Sequence, residues 1–551
     1  MTRLLGYSLI SGLLLASAWP VNGITPLIFV SLIPLLFVED IISKDNLGKK
    51  NLRLFFYSYV AFLTWNIATT WWIVYTTLPG AIFANLANSS FYSIIFLFYS
   101  RVKRKIDFKA GTLFLITFWI SFEKFHLNWE FSWPWLNLGN VFSERINWIQ
   151  WYEFTGVFGG SLWVLCSNFL LFYHLRKYST FKDSRRFYIR IVPRVLLICS
   201  PIFISFLVKP EINKGEEFKV LITQAKIDPW DSKYGNSRSN LDYFKIFKDL
   251  TSEELSANEY DFVLTSETFF SEGYGENVDY FGYTKLYDSL NSYLSQFPNT
   301  NLISGIQFYK LYQDQPEKPT KSANAVGENI WVDYFNSSIN MSANKDFEYN
   351  HKSKLVVGSE YMPFKSFLEP IIGTIMIDLG GTIRSMGTQH KSERKVFNHS
   401  FKDLKTISIV CYETIDGEYV ANYVDLGANF ISIITNDAWW GDTPGHRHLL
   451  SYARLRAIEN RRYIVRSANS GVSAIINEVG EYNSTLPFDK KGTLSGKAYS
   501  IDNRTFYSKN GDYIARLSIL ISVLLLLLSF SKVKRIKILW FSEHIIYFCR
   551  K

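Results

Sequence analysis

Cysteine is scarce in this chain, with 4 among 551 residues. Cys166, Cys199 and Cys549 lie in or beside strongly apolar segments, which leaves Cys411 alone in the polar stretch from Lys209 to Tyr513. A disulfide framework is therefore excluded from that stretch. No cluster of ligating side chains surrounds Cys411, so nothing in the pattern asks for a metal. Repeats and low-complexity tracts are absent, and with them any solenoid or array. Basic charge is not concentrated on the polar stretch either. Four basic clusters elsewhere more than cover the net charge of +10, so no nucleic-acid surface is implied.

Apolar surface is plentiful: 48% of residues are hydrophobic and 17% aromatic. It is unevenly spread. Residues 1–208 are mostly apolar with short basic breaks, 209–513 read as an ordinary soluble domain, and apolar character returns at Ile514–Phe530. A membrane protein carrying one large extramembrane domain has this pattern. Domains are accordingly expected at 1–208, 209–513 and 514–551. The candidate spans are Leu4–Trp19, Ile24–Val38, Phe55–Thr76, Ala81–Tyr99, Gly111–Phe125, Val157–Tyr173, Ile191–Val208 and Ile514–Phe530. Several fall short of the ~20 residues that cross the hydrocarbon, and the first two also read as a re-entrant or tightly joined pair. The first resembles a signal peptide, with Arg3 before an apolar core and Ala16-Ser17-Ala18 after it. Further apolar segments follow it before the soluble domain, so it is read as a retained span.

Charge orients these spans. Basic clusters follow the second (Lys44, Lys49, Lys50, Arg53), the fourth (Arg101 to Lys109), the sixth (Arg176 to Arg190) and the eighth (Lys532 to Lys537). The alternate connections Pro20–Gly23 and Thr77–Gly80 have no basic residue, and His126–Gly156 has only Arg145. Positive loops stay in the cytoplasm. Both termini are then expected in the cytoplasm, with the 209–513 domain outside.

Within that domain short apolar runs alternate with amphipathic stretches. Strands are predicted at Phe218–Thr223, Tyr260–Ser266, Asn301–Gln307, Asn329–Tyr334, Thr406–Tyr412, Phe430–Thr435, Tyr463–Ser467 and Val472–Ile476. Helices are predicted at Asn240–Leu255, Val278–Phe297 and His446–Arg462, and a surface loop at Lys310–Ala323. An α/β or α+β sandwich, sheets inside and helices outside, fits this order.

Three places put a reactive side chain beside an apolar strand. Glu267 ends the run Asp261–Ser266, where a carboxylate partly out of water becomes a base, although strand-end carboxylates are more often solvated. Lys352 precedes Leu355–Val357, with Glu360 beyond it. A fixed ammonium stabilises charge on a tetrahedral intermediate, although Lys/His clusters are commonly just exposed. Cys411 closes Ile407–Val410 and is followed by Tyr412 and Glu413. A lone thiol there is either a small buried hydrophobe, as most free cysteines are, or a nucleophile.

Ser266-Glu267, then Lys352 with Gly358-Ser359-Glu360-Tyr361, then Val410-Cys411-Tyr412-Glu413 resembles the Glu–Lys–Cys triad of the nitrilase superfamily, in that family's order. Thr435–Asp442 resembles its loop after the strand that follows the nucleophile. His446–Arg462 resembles its next helix, and Arg466–Gly471 its next strand and turn. Seven spans before such a domain and one after it are similar to the apolipoprotein N-acyltransferases, as are Ser11–Ala16 and Trp133–Gly139. The resemblance implies a polytopic α-helical membrane domain of about eight spans in a bacterial inner membrane, with an extracytoplasmic nitrilase-like αββα sandwich. It implies transfer of an acyl chain from a phospholipid to the α-amino group of the diacylglyceryl-cysteine of an apolipoprotein. A thioester on Cys411 carries the chain, and no metal or organic cofactor is required.

In that reading Glu267 is the base and Lys352 holds the oxyanion. Glu360 and Glu413 orient Lys352 and the nucleophile loop, Tyr412 supports them, and Trp230, Asn436 and Trp439 meet substrate. The chain departs from the family in having Lys354 where His is usual and Val357-Gly358-Ser359 where Pro-Phe-Gly is usual. Spacing to Glu360 favours Lys352, with Lys354 as the alternative. Gln224-Ala225-Lys226-Ile227 lacks the family's usual Asn. Trp71, Trp72, Trp129, Trp133, Trp135, Trp148 and Trp151 fall near the outer face, where tryptophan anchors at headgroup level; some of them, with Trp230, are candidates to wall an acyl entrance. Two other readings compete. One is a membrane-tethered amidase or nitrilase acting on a small extracytoplasmic substrate. The other is a non-enzymatic scaffold or transporter, which the scarcity of charge at span centres disfavours.

Overall fold

The computed structural model describes residues 2–181, 184–212, 215–228, 238–365, 367 and 385–531. Its first part is helical: α1 (Thr2–Ser17), α2 (Ile33–Lys44), α3 (Lys50–Thr70), α4 (Leu78–Lys105), α5 (Phe108–His126), α6 (Tyr152–Phe181) and α7 (Ser184–Val208). Each expected apolar segment contains helix, but Ile24–Val38 is broken between a 3-10 turn (Thr25–Phe29) and α2, and Phe55–Thr76 ends in another 3-10 turn (Trp71–Tyr75). Among the described residues, 5 helical stretches are long and apolar enough to cross a membrane: Thr25–Lys44, Leu78–Lys105, Tyr152–Tyr178, Phe187–Val208 and Tyr513–Phe530. α1 is a shorter apolar helix. α3 and α5 fall outside that group; α5 carries Glu123 and Lys124 near its end.

Aromatic rings fill this bundle. Tyr92 of α4 lies 4.6 Å from Trp119 of α5 and 5.4 Å from Phe62 of α3, centroid to centroid. The basic helix ends gather at one end of the bundle. There Asp40 of α2 meets Lys103 of α4 at 3.3 Å and Arg176 of α6 at 3.1 Å, and Glu39 also pairs with Lys103. Burial of these carboxylates is tolerated because each has a cation. α4 runs roughly 40 Å from that end. Beyond its start, Trp72 packs on Trp440 of the second domain at 5.2 Å. The catalytic-domain candidate thus sits at the end opposite the basic clusters.

Among the described residues the second domain has fourteen strands. β1 (Glu216–Gln224), β2 (Phe262–Leu264), β3 (Glu276–Asn277), β4 (Asn301–Tyr312), β5 (Asn324–Gly327), β6 (Ile330–Met341) and β7 (Glu348–His351) lie in one sheet with the last strand, β14 (Gly492–Ser500). Its order is β14-β1-β2-β4-β6-β5, with β3 on β4 and β7 on β6. β8 (Phe397–Asn398), β9 (Lys405–Val410), β10 (Phe430–Thr435), β11 (Ile464–Ala468), β12 (Ser473–Ile476) and β13 (Tyr482–Leu486) form the other, in order β13-β12-β11-β10-β9-β8.

Period-two alternation sets the layers. In β1, Phe218, Val220 and Ile222 join the core shared with Phe430, Ile434 and Val465 of the second sheet. Leu221 faces the other way, onto Tyr243 and Phe247 of α8 (Asn240–Ala257) and Leu290 of α9 (Lys285–Leu294). In the second sheet Ile407, Ile409, Ile431 and Ile433 pack on Tyr419 and Val420 of α10 (Gly417–Asp425) and Ala453 and Ala457 of α11 (Pro444–Asn460). The result is helices, sheet, sheet, helices. α12 (Phe506–Asn510) and α13 (Tyr513–Phe530) then lead back beside α5.

Several expected boundaries need correction. The helix predicted at Val278–Phe297 is only α9, because Thr284 caps it by accepting the Tyr287 N–H at 3.2 Å. The loop predicted from Lys310 starts later, since β4 stays paired with β6 through Tyr312↔Trp331. The strand predicted through Tyr412 stops at Val410, and Cys411 opens a tight helical turn.

Candidate active site

Strand ends from both sheets converge on one buried polar cluster. Glu267 follows β2, and Thr268 after it has φ +48°. Lys352 directly follows β7, and its N–H donates to Asn336 O at 2.8 Å. Cys411 directly follows β9. All three side chains are at least nine-tenths buried.

Lys352 Nζ sits 3.0 Å from Glu267 Oε1 and 2.9 Å from Glu360 Oε1. Asn336 Nδ2 donates to the same two oxygens, at 2.7 and 3.0 Å. The second oxygen of Glu267 accepts the Asn436 N–H at 3.0 Å, and that of Glu360 accepts the Val356 N–H at 2.8 Å. Both carboxylates are thus held in place from each oxygen. Burial works against a charge on Lys352, but Glu267 and then Glu360 outweigh it and hold the ammonium well above its usual pKa.

Cys411 has φ +49°. A left-handed backbone at a side-chain-bearing residue costs of order 1–3 kcal/mol and persists only where neighbours enforce it. Glu413 does so. It accepts the Val410 N–H at 2.9 Å, the Ser353 N–H at 2.6 Å, the Lys354 N–H at 3.1 Å and the Tyr419 hydroxyl at 2.7 Å. One carboxylate thereby ties the Cys411 turn to the segment after Lys352. Burial raises the Glu413 pKa against those bonds. Burial also pushes the Cys411 thiol up, Glu267 and Asp437 push it further, and Lys352 and a Thr435 hydrogen bond pull it down. The thiol is protonated at rest and reacts only if a base takes its proton.

The other expected residues divide. Lys354 turns away from the Glu267–Glu360 pair, toward Asp416 at 2.8 Å. Tyr412 points at the first domain, its hydroxyl donating to Ser132 O at 3.3 Å and its ring 6.0 Å from Trp135. Asn436 and Glu267 lie together on the wall of a small cleft, with Ile227, Tyr243, Ser266, Thr268, Phe269 and Asn469. Trp439 is half-buried on the turn after β10, and it is Trp440 that joins Trp72 and Trp135, with centroids at 5.2 and 5.5 Å. Trp230 lies outside the described residues. Sequence reasoning missed Asn336. Its signal was a buried polar residue inside β6, a strand predicted to end too early, at Tyr334.

A carboxylate, a fixed ammonium and a thiol on a left-handed turn thus meet at converging strand ends, beside a bundle of apolar helices. Residues 322–498 match the model for carbon-nitrogen hydrolases, and residues 11–170 match that for the apolipoprotein N-acyltransferase N-terminal domain. The apolipoprotein N-acyltransferase of Chlorobaculum tepidum is 24% identical over 523 residues, 92% of each chain. That of Geobacter metallireducens is 26% identical, again over 92% of each. Among solved structures, a nitrilase-superfamily amidase of Nesterenkonia AN1 aligns over 56% of this chain and 100% of its own, at 13% identity and TM-score 0.36. Along nearly its whole length the chain is thus similar to the apolipoprotein N-acyltransferases.

Proposed function

We propose that the chain transfers a fatty acyl group from a phospholipid to the α-amino group of an apolipoprotein's diacylglyceryl-cysteine, with Glu267, Lys352 and Cys411 as its catalytic residues. Relatives of that name matched along 92% of both chains support this activity over a membrane-tethered amidase. The observation that carries the site assignment is the Glu267–Lys352 contact of 3.0 Å beside the Cys411 turn, which itself packs on the membrane domain through Tyr412 and Ser132.

The cycle has two halves. Glu267 accepts the Cys411 proton as sulfur attacks the ester carbonyl. Lys352 and backbone N–H groups beside Cys411 hold the oxyanion, a donor of this kind contributing about 3 kcal/mol. The C–O bond breaks, the Glu267 proton passes to the departing lysophospholipid oxygen, and a thioester remains. The acceptor amine then attacks that thioester, giving its proton to Glu267. The C–S bond breaks, the proton returns to sulfur, and an amide leaves. An amide is more stable than a thioester, so this half runs forward.

Residues 1–208, 209–513 and 514–551 are our working division into membrane domain, catalytic domain and C-terminal span with tail. We place the catalytic domain outside an inner membrane crossed eight times, with both termini in the cytoplasm; the gathering of basic helix ends opposite the site supports this orientation. The full chain should convert a diacylglyceryl-cysteine peptide and a phospholipid to the N-acylated peptide. Hydrolysis of small amides without any acyl transfer would favour the amidase reading instead.

A further inference from the structure

Lys354 stands two residues beyond Lys352 but serves different partners. Its ammonium meets Asp416 Oδ2 at 2.8 Å, donates to Asn128 Oδ1 at 2.6 Å and to Leu127 O at 3.4 Å. Leu127 and Asn128 directly follow α5 of the membrane domain. Asp416 directly follows the turn Cys411–Ile415 and caps α10, its Oδ1 accepting the Tyr419 N–H at 3.0 Å. The Lys354 N–H meanwhile donates to Glu413 Oε1 at 3.1 Å.

The turn that presents the sulfur is therefore held by two carboxylates, Glu413 within it and Asp416 just after it. One residue grips both, the first through its backbone and the second through its side chain. The same ammonium reaches across to the membrane domain. Burial raises the Asp416 pKa, but Lys354 and then Lys124 overcome it and set it at about 2. Asp416 therefore stays ionised at physiological pH.

We infer that Lys354 is a positioning residue for acyl transfer, locking the nucleophile turn, the Lys352 segment and the membrane-domain segment after α5 into one register. This rests on the acyltransferase reading above. Lys354 touches no reacting atom. Its role is to keep the Cys411-to-Lys352 geometry fixed while the catalytic domain works against a bilayer. A misplacement of about 1 Å at such a site costs about 100-fold in rate.

The test uses the full chain in mixed phospholipid–detergent micelles. It reads the rate of thioester formation on Cys411 at saturating phospholipid, the phospholipid KM, and the melting midpoint. Lys354→Met should slow thioester formation roughly 10- to 100-fold with little change in KM, at temperatures well below its midpoint. Lys354→Arg should restore most of the rate, because a guanidinium keeps both the charge and the reach. Asn128→Ala removes one of the two membrane-side contacts, leaving Leu127 O, and should slow the rate less, roughly threefold. A Lys354→Met enzyme that acylates at the wild-type rate, or one whose defect Lys354→Arg does not relieve, overturns the inference. Absence of a thioester in the wild type would instead sink the acyltransferase reading itself.

Discussion

Replacing Asn336 probes the electrostatics of the site without touching a residue of the proposed triad. Its amide nitrogen bridges Glu267 Oε1 and Glu360 Oε1 at 2.7 and 3.0 Å, the two oxygens that also share the Lys352 ammonium. A hydrogen bond to a charged partner contributes about 1.5–3 kcal/mol. Both bonds come from one amide group, so losing it costs nearer ~3 kcal/mol than the sum of two. If about half of that bears on the orientation of Glu267, Asn336→Ala slows acylation of Cys411 roughly 10-fold. Asn336→Asp goes further. It removes both donors and sets a third carboxylate against one ammonium. Charges so close cannot all ionise, and one carboxyl takes up a proton. When that carboxyl is Glu267 the base is lost, a loss of about 100- to 10,000-fold. The assay is intact-protein mass spectrometry of the full chain with excess phospholipid, following acyl-thioester accumulation on Cys411. An Asn336→Asp enzyme that charges at close to the wild-type rate would refute this account of how Glu267 is held.

Other positions make further demands. A Cβ on Gly305 would fall 2.3 Å from Ser266 O and 2.5 Å from Thr268 N, in the backbone that presents Glu267. Gly305→Ala should therefore lower kcat by about 100-fold or more, measured as N-acylated peptide formed per minute. Glu459 pairs with buried Arg456 at 2.7 Å and accepts the Val157 N–H at 3.0 Å where α6 restarts after Gly156 (φ +60°). Glu459→Ala leaves Arg456 buried without its carboxylate, at a cost of about 3–5 kcal/mol, read as a lower melting midpoint. Asp416 ionises at about 2 rather than 3.8 in the folded protein. Its lowered pKa contributes roughly 2 kcal/mol of stability, complete above about pH 4 and lost as pH falls toward 2. Lys354→Met should shrink that acid-sensitive contribution, which melting curves between those limits would detect.

The sequence carried the layers better than the edges. Phe430–Thr435 was predicted as a strand with the ends it has, because a strand buried on both faces is a continuous apolar run. β14 went unseen, since Gly492-Thr493-Leu494-Ser495-Gly496 has little apolar signal, and its existence comes from antiparallel pairing with β1 along its whole length. Spacing to Glu360 picked Lys352 over Lys354, and the two ammonium groups do go to different carboxylates. Asn336 was illegible because its role depends on β6 running past Tyr334, a matter of pairing rather than propensity. The left-handed turn at Cys411 was hidden for a similar reason. It is enforced by Glu413, whose partners Ser353 and Lys354 lie far away in the chain. The basic clusters announced one end of the bundle, but that Asp40, Lys103 and Arg176 meet there is a fact of packing.

The most direct measurement is a two-stage chase on the full chain. Phospholipid alone should add one acyl chain to the peptide that contains Cys411, through a bond that hydroxylamine cleaves. A diacylglyceryl-cysteine peptide added next should empty that site and gain the same chain as an amide. An acyl group that never appears on Cys411, or one released to water at the same rate with or without the acceptor, would contradict the account.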